Sequence, residues 1–429
     1  IKHGLQKYPL FLIQIFPLSK IIYRLFVFFY NAALHLASFW NSKARLWVQG
    51  RKQLLEKIKL SFEGNSSPAI WMHAASLGEF EQGRPVITQL KSIYPDYKIV
   101  ITFFSPSGYE NKKNYTGADY IFYLPADSEI NARKFISIIK PSLVIWVKYE
   151  FWFHYLSELK KRDIPVVLIS ALFRPGQPFF KFYGSLWRNM LLCFKAIFVQ
   201  NQQSAELLKT MGIEKNVTVS GDTRFDSVIN TAENFAALPG LIKLFCGSQK
   251  VVVAGSTWAE DEEELLHFVK NNKAIKFIIA PHETAKSNIE EVQTRFTGCL
   301  LYSQLTESNV QTGNVLVIDN IGMLSRLYKY AHITYVGGGF GADGLHNILE
   351  AAVYGKPVIF GPNYEKFPEA TDLIAYGGAI SVENTLELEK VLNNLITSDE
   401  LRQGYAAKAK LFIYNNKGAT EKIISFITR

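Results

Sequence analysis

Two Rossmann-like α/β halves, preceded by a membrane-associating segment, are the architecture this sequence predicts. From Ala69 onward, short β-branched or aromatic runs alternate with longer helical patterns, as strands joined by crossover helices do. The runs form two series separated by residues 230–248, where Ala237-Leu238-Pro239-Gly240 supplies linker chemistry. A chain of 429 residues, 48% of them hydrophobic, also exceeds what one hydrophobic core usually organises.

The amino-terminal element comes first. Residues 8–40 are dense in Phe, Leu, Ile and Tyr, but Lys20 and Arg24 interrupt them, and the uncharged run 25–42 still holds Asn31 and His35. Interfacial helices mix aromatic and basic residues in this way, whereas a crossing needs about twenty apolar ones. Insertion along one face of a bilayer is the expectation, and a span through 25–42 is the alternative. The first 60 residues carry ten Lys or Arg and one acid, Glu56, which equals the whole formal net charge of +9. The remainder is therefore balanced, which leaves a nucleic-acid role without an electrostatic footprint. Cations within 43–59 suit an anionic membrane surface, at about 1 kcal/mol each. Cys193, Cys246 and Cys299 show neither metal-ligand nor disulfide spacing, consistent with a reducing exposure.

The first series places strands near 70–74, 99–103, 120–123, 143–147, 166–169, 196–199 and 217–219. Asp127 and Pro141 bracket one of its helices as start and stop signals. The second series places them near 251–254, 277–280, 299–302, 315–318, 333–336, 357–360 and 379–382. The expected division is a membrane segment 1–48, a first domain 49–235, a second domain 236–405, and terminal helices 406–429 returning to the first. Ligands of such sheets bind beyond the carboxyl ends of the strands, so the loops there are the places to look for chemistry.

Gly337-Gly338-Gly339-Phe340-Gly341-Ala342-Asp343-Gly344-Leu345-His346-Asn347-Ile348-Leu349-Glu350 follows a strand and is expected to open a helix at His346–Asn347. Its glycines let backbone approach a ligand, and helix-start N–H groups suit a phosphate. Glu350 could accept from a ribose. Ser256 and Thr257 repeat the pattern after the first strand of the second series, with an N-cap role for Thr257 equally open. His282 follows the next strand. In the first half, Glu79 stands at the tip of the loop Ala75-Ser76-Leu77-Gly78 and is the candidate base for an acceptor hydroxyl. Glu150, Arg174 and Arg224 occupy similar positions past later strands, and the two guanidinium groups suit phosphates or a donor carboxylate. No Asp-x-Asp motif is present, so no metal-clamped diphosphate is expected.

Taken in order, Ser76-Leu77-Gly78-Glu79, Tyr149-Glu150-Phe151-Trp152, Gly221-Asp222-Thr223-Arg224-Phe225-Asp226, Gly255-Ser256-Thr257, Pro281-His282 and the 337–350 stretch resemble the 3-deoxy-D-manno-octulosonic acid (Kdo) transferases of lipopolysaccharide synthesis. The resemblance runs from the apolar amino-terminal segment to about Tyr376. It implies a GT-B glycosyltransferase with two facing Rossmann-like domains and neither metal nor cofactor. It further implies inverting transfer of Kdo from CMP-Kdo to the lipid A precursor at the cytoplasmic face of the bacterial inner membrane. By position it implies Glu79 as base, Glu150 as a second acid, and Ser256, Thr257, His282, Gly338, Gly339, Asn347 and Glu350 around CMP. Phe340, Gly344, His346, Arg174 and Arg224 complete the candidate donor set. Pro281-His282 lacks the arginine of the family's Pro-Arg-His, for which Arg174, Arg224 or Lys366 could substitute. A UDP-sugar enzyme of the same fold, such as a lipid A disaccharide synthase or an epimerase, and a non-catalytic membrane scaffold are the rival readings.

Overall fold

The computed structural model describes residues 11–148, 150–342 and 344–429, with side chains from Leu18 onward. Residues 1–10 of the expected membrane segment 1–48, Tyr149 and Asp343 lie outside the described residues. The chain divides into two compact units, one reaching to Ser227 and closed by Gly418–Arg429, the other Val228–Lys417. The division falls within the helix Thr223–Glu233. Of the terminal residues 406–429, those up to Lys417 belong to the second unit.

In the first unit the strands are β1 (Ala69–Ala74), β2 (Lys98–Phe103), β3 (Tyr120–Tyr123), β4 (Pro141–Val147), β5 (Val166–Ala171), β6 (Ala196–Val199) and β7 (Val217–Val219). They form one parallel sheet in the order β3-β2-β1-β4-β5-β6-β7. A parallel sheet is covered on both faces, so its central strands are largely apolar, with His73 of β1 and Thr102 of β2 as buried polar exceptions. Alternate residues accordingly serve two cores: Ala69 and Trp71 join Val144 and Trp146 on one face, while Ile70, Met72 and Ala74 join Ile145 and Val147 on the other. The second core also takes Ile423 and Ile424 from the last helix, Ala419–Ile427. Asp226 fixes that helix by accepting the N–H groups of Gly418 and Thr420 at 2.6 and 2.7 Å.

The amino-terminal helix, Phe11–Ala37, buries Tyr23 and Val27 against the first core and exposes Ile22, Leu25, Phe26, Phe28 and Phe29. Among the described residues no single helix is long and apolar enough to cross a membrane. Residues 18–37 with the helix Ser42–Gly50 reach that length only as a pair bent by 118°. Arg51, one of the cations assigned by sequence to lipid, is drawn inward. Its guanidinium donates to the carbonyls of Leu124 and Phe104 at 2.9 Å and lies 3.9 Å from the Trp47 ring, and burial lowers its pKa to about 9.

The second unit contributes β8 (Val251–Thr257), β9 (Lys276–Pro281), β10 (Leu300–Leu301), β11 (Val315–Val317), β12 (Ile333–Val336), β13 (Val358–Phe360) and β14 (Ala379–Ser381). These too form one parallel sheet, ordered β10-β11-β9-β8-β12-β13-β14. In the first sheet the strand order reverses direction between β1 and β4, and in the second it does so at the centre between β8 and β12. The loops leaving those four strands diverge, and such crevices are where open α/β sheets hold ligands.

Candidate functional site

The two carboxylates singled out by sequence flank the switch point of the first sheet, Glu79 after β1 and Glu150 after β4. Glu79 stands in the first turn of the helix Leu77–Ile93, and its carboxylate turns back to accept the Ala75 N–H at 2.5 Å. Burial and the negative charge of Glu150 together raise its pKa to about 8, against the opposing pull of that N–H and of Lys148. A carboxyl group so placed is a proton acceptor poised near neutrality. Glu150 accepts from Trp152 Nε1 at 2.7 Å, and its backbone carbonyl accepts from Trp146 Nε1. It lines a cavity of about 280 Å³ with Trp152, Gln177, Phe179 and Trp187. Lys148, between β4 and Glu150, holds a left-handed conformation (φ 60°), a strain of about 1–3 kcal/mol that recurs at functional loops.

The second crevice is built from the loops after β8, β9 and β12. Ser256 is left-handed (φ 53°) where the β8–β9 register shifts between Gly255 and Thr257. Thr257 is buried and donates to Glu262 at 3.0 Å, while the helix Ala259–Asn271 is capped from Trp258, so Thr257 is not the N-cap. Three rings pack here: Trp258 lies 4.6 Å from His282, which lies 4.3 Å from His346. Trp258 Nε1 donates to His346 Nε2 at 3.1 Å.

The glycine-rich stretch differs from its sequence-based reading in two respects. Gly338 does adopt φ 89°, and a Cβ there would meet the Gly344 carbonyl at 2.2 Å. Its N–H, however, donates to the buried Asp261 carboxylate at 2.8 Å, which also accepts from Trp258 N–H at 2.9 Å and Tyr335 hydroxyl at 2.7 Å. A resident carboxylate thus takes the Gly338 N–H assigned to a phosphate, and the His346 N–H goes to the Gly337 carbonyl. The helix also begins later than His346–Asn347. It covers only Leu349–Ala352, because Asn347 turns its side chain to the Leu349 N–H (3.2 Å) and to Glu350 (3.1 Å). Four residues supply little dipole. Gly339 serves a close approach, since a Cβ there would meet the Gly361 nitrogen at 2.6 Å, and Phe340 packs against the core of its unit. Gly344, at φ 89°, faces Phe367.

Arg174 and Arg224 belong to the first unit, whereas the other donor candidates belong to the second. Arg174 is exposed past β5. Arg224 is paired with the buried Asp222, its Nη2 at 2.7 Å and Nε at 2.9 Å. Lys366 is exposed in the second unit. Sequence reasoning passed over His73 and Asp261, both fully buried. A histidine inside an apolar strand and an acid at the third position of a helix each carried a faint signal.

Comparison with known proteins bears on this geometry. The family model described as 3-Deoxy-D-manno-octulosonic-acid transferase (kdotransferase) matches residues 50–227. A 3-deoxy-D-manno-octulosonic acid transferase of Haemophilus influenzae is 26% identical, the alignment covering 88% of this chain and 91% of that protein. The Aquifex aeolicus transferase of the same name is 29% identical over 81% of this chain and 95% of its own. In fold, the chain is similar to the UDP-GlcNAc 2-epimerase of Neisseria meningitidis (TM-score 0.61, 19% identity, 84% of this chain and 99% of the other). The paired parallel sheets are of the GT-B type, and the family match begins just before β1 and ends with the first unit, enclosing both Glu79 and Glu150. Over residues 50–227 by the family model, and over most of its length by these relatives, the chain is similar to the 3-deoxy-D-manno-octulosonic acid transferases.

Proposed function

We propose that the chain transfers Kdo from CMP-Kdo to a hydroxyl of a lipid A precursor. Glu79 takes the hydroxyl proton, the acceptor oxygen bonds to the anomeric carbon on the face opposite the leaving group, and the bond to the CMP phosphate oxygen breaks. Configuration is inverted in that single displacement. The observation that carries the reading is the Glu79 carboxyl, raised to about 8 beside Glu150 at the switch point of its sheet. On the second unit, Ser256 at the end of β8, His282, His346 and Asn347 on the loops after β9 and β12, and Glu350 in the short helix Leu349–Ala352 lie past the carboxyl ends of the switch-point strands and their neighbour, which supports a nucleotide role for that crevice. The leaving phosphate is received there by hydroxyl and imidazole groups together with whatever backbone N–H groups Asp261 does not occupy.

The acceptor is a lipid, and the exposed Ile22, Leu25, Phe26, Phe28 and Phe29 supply a surface that lies in the headgroup region of a membrane. The basic segment beside it supports a location at the cytoplasmic face of the bacterial inner membrane. Glu79→Ala tests the base: product formation from CMP-Kdo and lipid IVA should fall by at least about a thousandfold while CMP still stabilises the protein against heat. Retained turnover removes the assignment. Stabilisation by UDP in place of CMP would favour a UDP-sugar enzyme.

A further inference from the structure

His73 is fully buried on β1 and carries an Nε2 for which the described residues provide no hydrogen-bond partner. That atom points to the Glu150 carboxylate, 3.7 Å from Oε2. On the other side of the ring, Nδ1 lies 2.9 Å from the Thr102 hydroxyl, which accepts from Trp71 Nε1 at 2.8 Å, and 3.2 Å from the Thr102 carbonyl. The hydroxyl oxygen takes the indole N–H on one lone pair and is free to donate to Nδ1 or to accept from it, so this side of the ring admits either tautomer. The Glu150 carboxylate, an acceptor, selects the one with the proton on Nε2. The opposite tautomer would set an Nε2 lone pair against a carboxylate inside an apolar wall. The Trp146 ring, 4.8 Å from the imidazole, packs against it and supplies part of that wall.

We propose that His73 is a positioning residue, which holds the Glu150 carboxylate beside Glu79 through its Nε2–H. A separation of 3.7 Å exceeds a hydrogen bond and closes with a small rotation of Glu150 when an acceptor fills the neighbouring cavity. The relay Trp71, Thr102, His73, Glu150 thus anchors one acid of the pair to the rigid centre of the sheet. Groups facing the acids from other elements are Tyr23 and Tyr30 of the amino-terminal helix, Arg51 and Lys148. None of them is placed to replace the imidazole on the β1 side, where Nε2 is sealed from solvent.

The inference rests on the reading of Glu79 as base, and its test separates the two. The acid limb of the kcat–pH profile should move to lower pH in Glu150→Gln and in His73→Leu, and His73→Leu should add nothing in the Glu150→Gln background. His73→Leu should lower kcat about tenfold with KM changed less than about twofold, and His73→Gln, which retains an N–H donor, should recover part of it. An unmoved limb in His73→Leu, or additive effects of the two substitutions, overturns the proposal. Should the leucine variant fail to fold, His73→Gln against Glu150→Gln serves the same cycle. Independently of turnover, imidazole 15N shifts of the full chain should show His73 protonated at Nε2 and unprotonated at Nδ1. The reverse tautomer overturns the proposal even where Glu79→Ala has upheld the base.

Discussion

The Tyr23 hydroxyl donates a 2.5 Å hydrogen bond to Asp127, joining the amino-terminal helix to a carboxylate 104 residues away. Asp127 also accepts the N–H groups of His154 and Tyr155 at 3.1 and 3.2 Å, and so caps the helix Phe153–Lys161 that follows Glu150. The amino-terminal helix and the loop carrying one of the two acids therefore share a single buried carboxylate. Tyr23→Phe leaves that carboxylate one donor short and should cost about 1–3 kcal/mol, read as a fall of several degrees in Tm.

Asp127 makes this linkage pH-dependent. Burial raises its pKa from 3.8 to about 6 in spite of its three donors. Between those values the folded protein binds more protons than the unfolded one, so stability declines as pH rises from about 4 to 6. Asp127→Asn should flatten that part of the Tm–pH curve, which thermal melts across the window will show.

Glu79 should display the trade between stability and activity. Its raised carboxyl pKa means that ionisation is costlier in the folded chain, and stability is lost progressively from pH 4.5 to about 8. Glu79→Gln should therefore raise Tm by a few degrees at pH 8, have little effect at pH 4.5, and abolish transfer. A Tm lowered at pH 8 would contradict the desolvation account.

Gly338→Ala should damage the second crevice. The left-handed backbone and the 2.2 Å approach to the Gly344 carbonyl leave no room for a methyl group. A loss of at least about tenfold in CMP affinity is expected from strain of about 1–3 kcal/mol, measurable by calorimetry.

Membrane attachment should depend on aromatic side chains. Phe26→Asp with Phe29→Asp removes two rings from the exposed side of the amino-terminal helix, each worth about 1.5–3 kcal/mol of burial, and should release the protein from anionic vesicles in flotation assays. Phe182, 85% exposed just before the helix Ser185–Leu191 that packs against the amino-terminal helix, should contribute in the same direction.

The central strands were legible because a strand buried on both faces is largely apolar, the edge strand β7 through its β-branched residues, and the strand ends near Glu79, Glu150, Ser256 and His346 were readable as places for chemistry. Non-local pairing was not legible. Asp127 looked like the start of the helix nearest to it, yet Ser128 caps that helix and Asp127 serves another. The glycine stretch looked like an empty anion nest because nothing in its own residues announces Asp261, which arrives from another helix. Arg224 looked like a phosphate ligand until its neighbour Asp222 proved to hold it.

The last helix, held by Asp226 and feeding Ile423 and Ile424 into the core of the first unit, has a consequence for synthesis. The unit that is translated first cannot seal its own interior until residues 418–429 have left the ribosome, by which time the whole inserted unit has been made. Released chains truncated before Gly418 should therefore hold a finished second unit and a first unit whose core lacks Ile423 and Ile424.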